Sequence, residues 1–125
     1  MSNNLTVLAV DDDMINLKLL KSMLMKTDDV CEVIEARNGA DAIEVLKARG
    51  EEIDIILLDI IMPVMGGIEM LKVVRADDNL KQLPIIVLTT DETKKTEALE
   101  EGANGFLMKP VRAADVTSKI KELFV

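Results

Sequence analysis

Ile55-Ile56-Leu57-Leu58-Asp59 sets four consecutive apolar residues directly ahead of an acid. A strand with one face in water alternates apolar and polar residues, whereas an unbroken apolar run is buried on both faces. Val7-Leu8-Ala9-Val10 and Ile85-Ile86-Val87-Leu88 read the same way. Three doubly buried strands imply a central parallel sheet with helices on both sides. Two further β-rich runs complete a set of five predicted strands, at residues 6–10, 31–36, 53–58, 85–89 and 105–108. The second contains the mixed stretch Val33-Ile34-Glu35-Ala36, which suits an edge.

The segments between these runs carry helical spacing. Leu17, Leu20 and Leu24 share one face, as do Ala40, Ile43 and Leu46, then Ile68, Leu71 and Val74, and finally Val116, Ile120 and Leu123. Asn38 is placed to cap the second helix and Gly50 to end it. Residues 91–101 differ, offering only Ala98 and Leu99 to a core among Glu92, Lys94, Lys95, Glu97 and Glu100. That segment reads either as a solvated surface helix or as one held weakly enough to move or bind a partner. Strand–helix alternation with short connections gives right-handed crossovers and a doubly wound α/β sheet. The 125 residues fit one domain, residues 1–125, with no internal repeat.

Composition narrows the chemistry. Fifteen Lys plus Arg against 23 Asp plus Glu give a net charge of −8. Nucleic acids and anionic membranes reward clustered cations, so neither is expected as a partner. No apolar stretch approaches the roughly 20 residues needed to span a bilayer. Met1-Ser2-Asn3-Asn4 does not open a secretory signal. The single cysteine, Cys31, has no internal disulfide partner, so a reducing cytoplasm is the simplest location. It is expected as a small buried hydrophobe, and most of the eight methionines as core filling. With no histidine in the chain, Ser-His and Cys-His catalysis are excluded. Chemistry must run on carboxylates, hydroxyls, lysine and backbone.

In doubly wound sheets ligands bind beyond the carboxyl ends of the strands. The first strand ends in Asp11-Asp12-Asp13 and the third in Asp59. Asp13 is the natural N-cap of the next helix, and capping needs one acid, not three. Asp11, Asp12 and Asp59 therefore form an expected carboxylate cluster, in which like charges raise one another's pKa unless a cation offsets them. An all-oxygen acidic site with room for water suits Mg²⁺, with Mn²⁺ as a substitute; Ca²⁺ fits less well because no EF-hand-like loop is present. Thr89, at the end of the fourth strand, can hydrogen-bond a phosphoryl oxygen. Lys109, after the fifth, is a counter-charge for the acids or for a phosphoryl group. The Lys109-Pro110 bond lies at a turn where a cis form is plausible.

These motifs resemble the response-regulator receiver family, the CheY-like domains of two-component signalling, along the whole chain. The matching stretches are Val10-Asp11-Asp12-Asp13, Leu57-Leu58-Asp59-Ile60-Ile61-Met62-Pro63, Pro84-Ile85-Ile86-Val87-Leu88-Thr89-Thr90, and Gly102-Ala103-Asn104-Gly105-Phe106-Leu107-Met108-Lys109-Pro110. The resemblance implies a (βα)5 flavodoxin-like fold with strand order 2-1-3-4-5, an order carried over from CheY and not read from the residues. It also implies that Asp59 is the phospho-acceptor, that Asp12 binds Mg²⁺ directly and that Asp11 reaches it mainly through water. The Ile61 backbone carbonyl is a further implied ligand. Thr89 and Lys109 become the phosphoryl-sensing pair, and Phe106 the aromatic switch. The implied donor is a sensor histidine kinase or a histidine phosphotransfer protein, because this chain has no histidine of its own. The implied recipient, reached through the surface of helix 4, strand 5 and helix 5, is a downstream protein or a C-terminal output domain.

The sequence departs from the family pattern in places. Met65-Gly66-Gly67 lacks an acid often found in that turn, which is expected to loosen the loop after the acceptor. Thr90 is bulkier than usual, and Ile61 and Asp91 occupy positions where the family varies the lifetime of the phosphoryl group. Three other readings are weaker. A haloacid-dehalogenase-like phosphatase needs an acid two residues after its nucleophile, where this chain has Ile61. A flavin module lacks stacking Trp or Tyr and a Gly-rich loop after the first strand. A phosphorylation-independent scaffold leaves the acid, threonine and lysine set without a purpose.

Overall fold

A computed structural model describes residues 4–124, so Met1, Ser2 and Asn3 of the N-terminal reading lie outside the described residues. Five strands alternate with five α-helices: β1 (Leu5–Val10), α1 (Met14–Met25), β2 (Val30–Ala36), α2 (Gly39–Arg49), β3 (Ile55–Asp59), α3 (Gly67–Ala76), β4 (Ile85–Thr89), α4 (Lys95–Glu100), β5 (Gly105–Met108) and α5 (Ala113–Phe124). All four pairings are parallel and the order is β2-β1-β3-β4-β5. The mixed second strand is an edge, as expected.

The unbroken apolar runs have the expected cause. Ile55 and Leu57 of β3 face one core with Val7, Ala9, Ile86 and Leu88, while Ile56 and Leu58 face another with Leu8, Val10, Ile85 and Val87. The first core is closed by Leu17, Leu20 and Leu24 of α1 and by Val116 and Ile120 of α5. The second is closed by Ala42 and Leu46 of α2, by Met70, Leu71 and Val74 of α3, and by Ala98 of α4. Each fully buried Leu or Ile here is worth about 1.5–3 kcal/mol of desolvation. The two-sided cover makes the sheet a rigid base for the loops at its carboxyl edge.

Several details differ from the sequence reading. β3 begins at Ile55 rather than 53, because Gly50–Glu52 forms a 3-10 turn and the Asp54 carboxylate accepts the Thr6 N–H at 2.8 Å. The buried line of α2 is Gly39, Ala42 and Leu46, while Ala40 and Ile43 are half-buried. Asn38 caps α2 by accepting the Asp41 N–H and Gly50 ends it, both as expected, although Gly50 does so in a right-handed conformation that leads into the 3-10 turn. The fourth segment divides into a 3-10 turn at Glu92–Lys94 and the six-residue α4, where Ala98 is buried and Leu99 lies 43% exposed.

Cys31 is exposed, not buried. On edge strand β2 the inward positions are Val30, Val33 and Ala36, so Cys31 points outward and its thiol lies 3.3 Å from the Asn4 carbonyl. The methionines also fill less core than expected. Among the described residues only Met70 is fully buried, while Met14, Met25 and Met108 are exposed. Among the described residues, no helix is long and apolar enough to cross a membrane.

At the opposite edge of the sheet, Arg75 acts as a clamp that sequence reading missed. Its guanidinium donates to the carbonyls of Gly102, Lys81 and Leu83 and to Asn104 Oδ1, at 2.7–3.0 Å. Asn104 Oδ1 also accepts the Ile85 N–H at 2.9 Å, tying α3, β4 and the turn before β5 together. Gly102 sits at φ +105°, and a Cβ there would come within 2.9 Å of Arg75 Nε. Partial burial lowers the Arg75 pKa from its ordinary value, though arginine remains charged at any physiological pH.

Candidate functional site

Parallel register brings the acids together. Val10 of β1 pairs with Leu58 of β3, so one step further along each strand lie Asp11 and Asp59. Asp11 is 3% exposed and Asp59 6%. The Asp11 N–H donates to the Ala36 carbonyl at 3.1 Å, and Asp11 Oδ1 accepts the Asp13 N–H at 2.9 Å. Asp13 caps α1 by accepting from Ile15 and Asn16. The cap therefore uses Asp13 alone and leaves Asp11 and Asp12 for other work. Asp12 is exposed, yet Asp11, Asp12 and Asp59 each bring a carboxylate oxygen to positions within 4.8 Å of one another.

Lys109 reaches this cluster from the end of β5. Its Nζ is 2.7 Å from Asp11 Oδ2 and 3.4 Å from Asp59 Oδ1. One ammonium is thus shared between two buried carboxylates. Burial raises the Asp59 pKa above the usual carboxylate value; Lys109 opposes that shift, and the negative charges of Asp11 and Asp12 add to it. Burial works to lower the Lys109 pKa, but its hydrogen bond to Asp11 and the charges of Asp59 and Asp11 outweigh burial and raise it. The two shifts agree physically, because Lys109 gains two anions while Asp59 keeps only part of one cation. Three acids and one cation leave the cluster short of positive charge, and its all-oxygen donor set fits a hard divalent ion of the Mg²⁺ kind.

The other expected residues surround this centre. Thr89 ends β4 and is 1% exposed; its hydroxyl oxygen accepts the Asp91 N–H at 3.1 Å, and its carbonyl accepts the Lys109 N–H at 2.9 Å. Thr90 is exposed and lines a cleft with Asp11, Asn16, Leu19, Lys109 and Pro110. Asp91 caps the next turn through the Thr93 hydroxyl and N–H, contacts that hold its pKa below the usual carboxylate value. Phe106 on β5 is half-buried against the core of α2, α3 and α4, and the Lys95 ammonium lies 5.8 Å from its ring centroid. Lys109-Pro110 is cis. The Ile61 side chain is 59% exposed, in the loop leaving Asp59.

That loop is less free than the missing acid at position 66 implied. The Gly67 N–H donates to the Ile60 carbonyl at 2.8 Å, and a Cβ on Gly67 would lie 2.3 Å from the Asp59 carbonyl oxygen. The first turn of α3 therefore packs directly on the end of β3, which only glycine permits. Val64, 82% exposed, adopts φ +68°, strained for a β-branched residue, and the Met65 N–H closes back on the Pro63 carbonyl at 2.8 Å. The Gly66-Gly67 pair was the available sequence signal for this tight packing.

Residues 7–121 match the family described as response regulator receiver domain. The chain is 33% identical over 126 residues to chemotaxis protein CheY-3 of Vibrio cholerae serotype O1, an alignment covering 99% of this chain and 95% of that protein. It is 39% identical over 122 residues to hybrid signal transduction histidine kinase M of Dictyostelium discoideum, covering 94% of this chain but only 5% of that much longer protein. Among solved structures, the CheX-CheY-BeF3-Mg²⁺ complex from Borrelia burgdorferi is similar at a TM-score of 0.88 and 30% identity, covering 97% of this chain and 90% of that one.

Proposed function

Given that the chain belongs to the response regulator receiver family, we propose that Asp59 takes a phosphoryl group from a phosphohistidine and that this modification switches a partner-binding surface. Receivers are modules of two-component signalling rather than dedicated enzymes. The finer reading is that this one catalyses its own aspartyl phosphorylation and dephosphorylation. The observation that carries it is Lys109 Nζ lying 2.7 and 3.4 Å from two carboxylates of a three-acid cluster at the sheet's carboxyl edge.

A carboxylate is a weak nucleophile, and its anionic target repels it. Catalysis must therefore come from positioning and from charge neutralisation. Asp59 is held on the last residue of a doubly buried strand, with Gly67 packed behind its carbonyl. Asp59 Oδ attacks phosphorus, the N–P bond of the donor breaks, and the imidazole leaves with its electron pair and takes up a proton. An acyl phosphate on Asp59 results. Asp11, Asp12, Asp59 and the Ile61 carbonyl are the residues that would hold Mg²⁺, or Mn²⁺ in its place. The ion supplies positive charge for the transferring oxygens. Lys109 adds a further cation at the same edge, freed from Asp59 once that carboxylate has become an acyl phosphate.

The response passes through Thr89 and Phe106. Thr89 gives up its contact with the Asp91 N–H and turns its hydroxyl to the phosphoryl group. The space it vacates admits the ring of Phe106, which is half-buried and has the Lys95 ammonium 5.8 Å from its centroid. The surface of α4, β5 and α5 then shifts between two populated states. Because α4 buries only Ala98, that shift disturbs little core. Exposed Thr90, the Ile61 side chain and Asp91 set how readily water reaches the acyl phosphate. The donor is a sensor histidine kinase or histidine phosphotransfer protein, and the output is a downstream protein or C-terminal output domain. Residues 1–125 act as one receiver unit, in the cytoplasm.

Incubation with acetyl phosphate and Mg²⁺ tests this reading. Label should enter the wild type, require the metal, and be lost in Asp59→Asn. Label of equal extent in Asp59→Asn would overturn the assignment.

A further inference from the structure

We infer that Gly39, at the start of α2 and twenty residues before Asp59 in sequence, is a positioning residue for the loop that carries the Ile61 carbonyl. This rests on the reading of that loop as part of the metal site. The Gly39 N–H donates to the Met65 carbonyl at 3.0 Å. A Cβ on Gly39 would lie 2.7 Å from Met65 Cγ, 2.8 Å from Met65 O and 2.9 Å from Met65 Cβ. Two of these three atoms belong to the rigid start of the residue, so no side-chain rotation relieves the overlap. Glycine at position 39 lets the N-terminus of α2 grip the loop directly.

Which partner moves when a methyl group is added follows from how each is held. α2 is fixed by the Asn38 cap and by fully buried Ala42 and Leu46. The loop has Ile61 at 59% and Val64 at 82% exposure, and Val64 already occupies a strained conformation. The loop is the softer side. It is pinned at two places, at Gly67 against Asp59 and at Gly39 against Met65, with the Ile61 carbonyl between Asp59 and these anchors. Gly39 thus supplies the restraint that an acid at position 66 does not.

The test uses Gly39→Ala in the full chain. Because the protein has no Trp or Tyr, Mg²⁺ binding is read by calorimetry, and loop order by amide hydrogen exchange of the metal-free protein. Misplacing a group that supports a metal ligand typically weakens binding by about tenfold or more. Gly39→Ala should show that loss, together with faster exchange at Met65 and Gly67. Adding Met65→Gly, which removes both the Cγ and the Cβ that the new methyl group meets, should recover part of the affinity. A folded Gly39→Ala with wild-type Mg²⁺ affinity overturns the inference, because a purely structural glycine would alter melting alone. If Gly39→Ala does not fold, the wild type serves: Mg²⁺ held by the loop should slow exchange of the Gly39 N–H, which the Met65 carbonyl accepts, and an unchanged Gly39 rate at saturating Mg²⁺ overturns the inference. Failure of the acceptor reading is distinct, since wild type would then take no label while the Mg²⁺ and exchange results stood unaltered.

Discussion

Replacing Lys109 with methionine should tighten Mg²⁺ binding while impairing phosphorylation. The Lys109 ammonium is a cation of the acidic cluster, 2.7 Å from Asp11 and 3.4 Å from Asp59. A divalent ion entering between the same carboxylates must displace it from at least one of them. The shorter contact is a charge-assisted hydrogen bond, worth about 1.5–3 kcal/mol when both groups are largely withdrawn from water. At 1.4 kcal/mol per factor of ten, removing this competitor should strengthen Mg²⁺ binding by about ten- to a hundredfold. Methionine keeps most of the aliphatic length, so packing beside Pro110 is little changed. Calorimetric titration measures the affinity, and acetyl phosphate labelling follows the chemistry. Tighter metal binding with slower labelling is the expected pair. Weaker or unchanged Mg²⁺ binding in a folded Lys109→Met protein would refute the idea that lysine and metal contend for one set of oxygens.

Other expectations follow from the same geometry. Asp59 has a raised folded-state pKa, so its contribution to stability is present at low pH and is lost as pH rises through the folded value. Metal-free Asp59→Asn should therefore melt higher than wild type at neutral pH, the gap closing as pH falls below the ordinary carboxylate value. Lys109, also raised, stabilises below its unfolded pKa and loses that effect only as pH climbs through the folded one, so it leaves the neutral-range difference intact; melting curves at several pH values check both signs. Arg75→Ala leaves the carbonyls of Gly102, Lys81 and Leu83 without their shared donor and should cost about 2–4 kcal/mol in urea unfolding, with Mg²⁺ affinity unchanged. Cys31 is exposed, so one equivalent of thiol should react with a disulfide reagent in the native protein; a thiol released only by denaturant would contradict its placement on the outer face of β2.

The fold was largely readable because its strands are apolar on both faces. Ile55 to Leu58 has to be covered twice, and a covered parallel sheet then carries Asp11, Asp59, Thr89 and Lys109 to one edge. That much follows from strand ends and chain order. What could not be read is contact across distant segments. The Gly39–Met65 and Gly67–Asp59 approaches are backbone packing, which leaves only a glycine as its trace. Arg75 looks like any charge at a helix end until the chain folds around it. Cys31 and the methionines misled because intrinsic hydrophobicity does not say which face of an edge strand or helix a residue takes. The missing acid at position 66 suggested a loose loop, and only the structure revealed the two glycine anchors that hold it.

The central claim is that Asp59 carries the phosphoryl group. Its most direct test is to trap the modified protein with borohydride after exposure to acetyl phosphate and Mg²⁺, then locate the reduced residue by peptide mass spectrometry. Homoserine at position 59, in the metal-containing sample alone, is the predicted result. An unmodified Asp59 accompanied by reduction at Asp11, Asp12 or another acid would contradict the account.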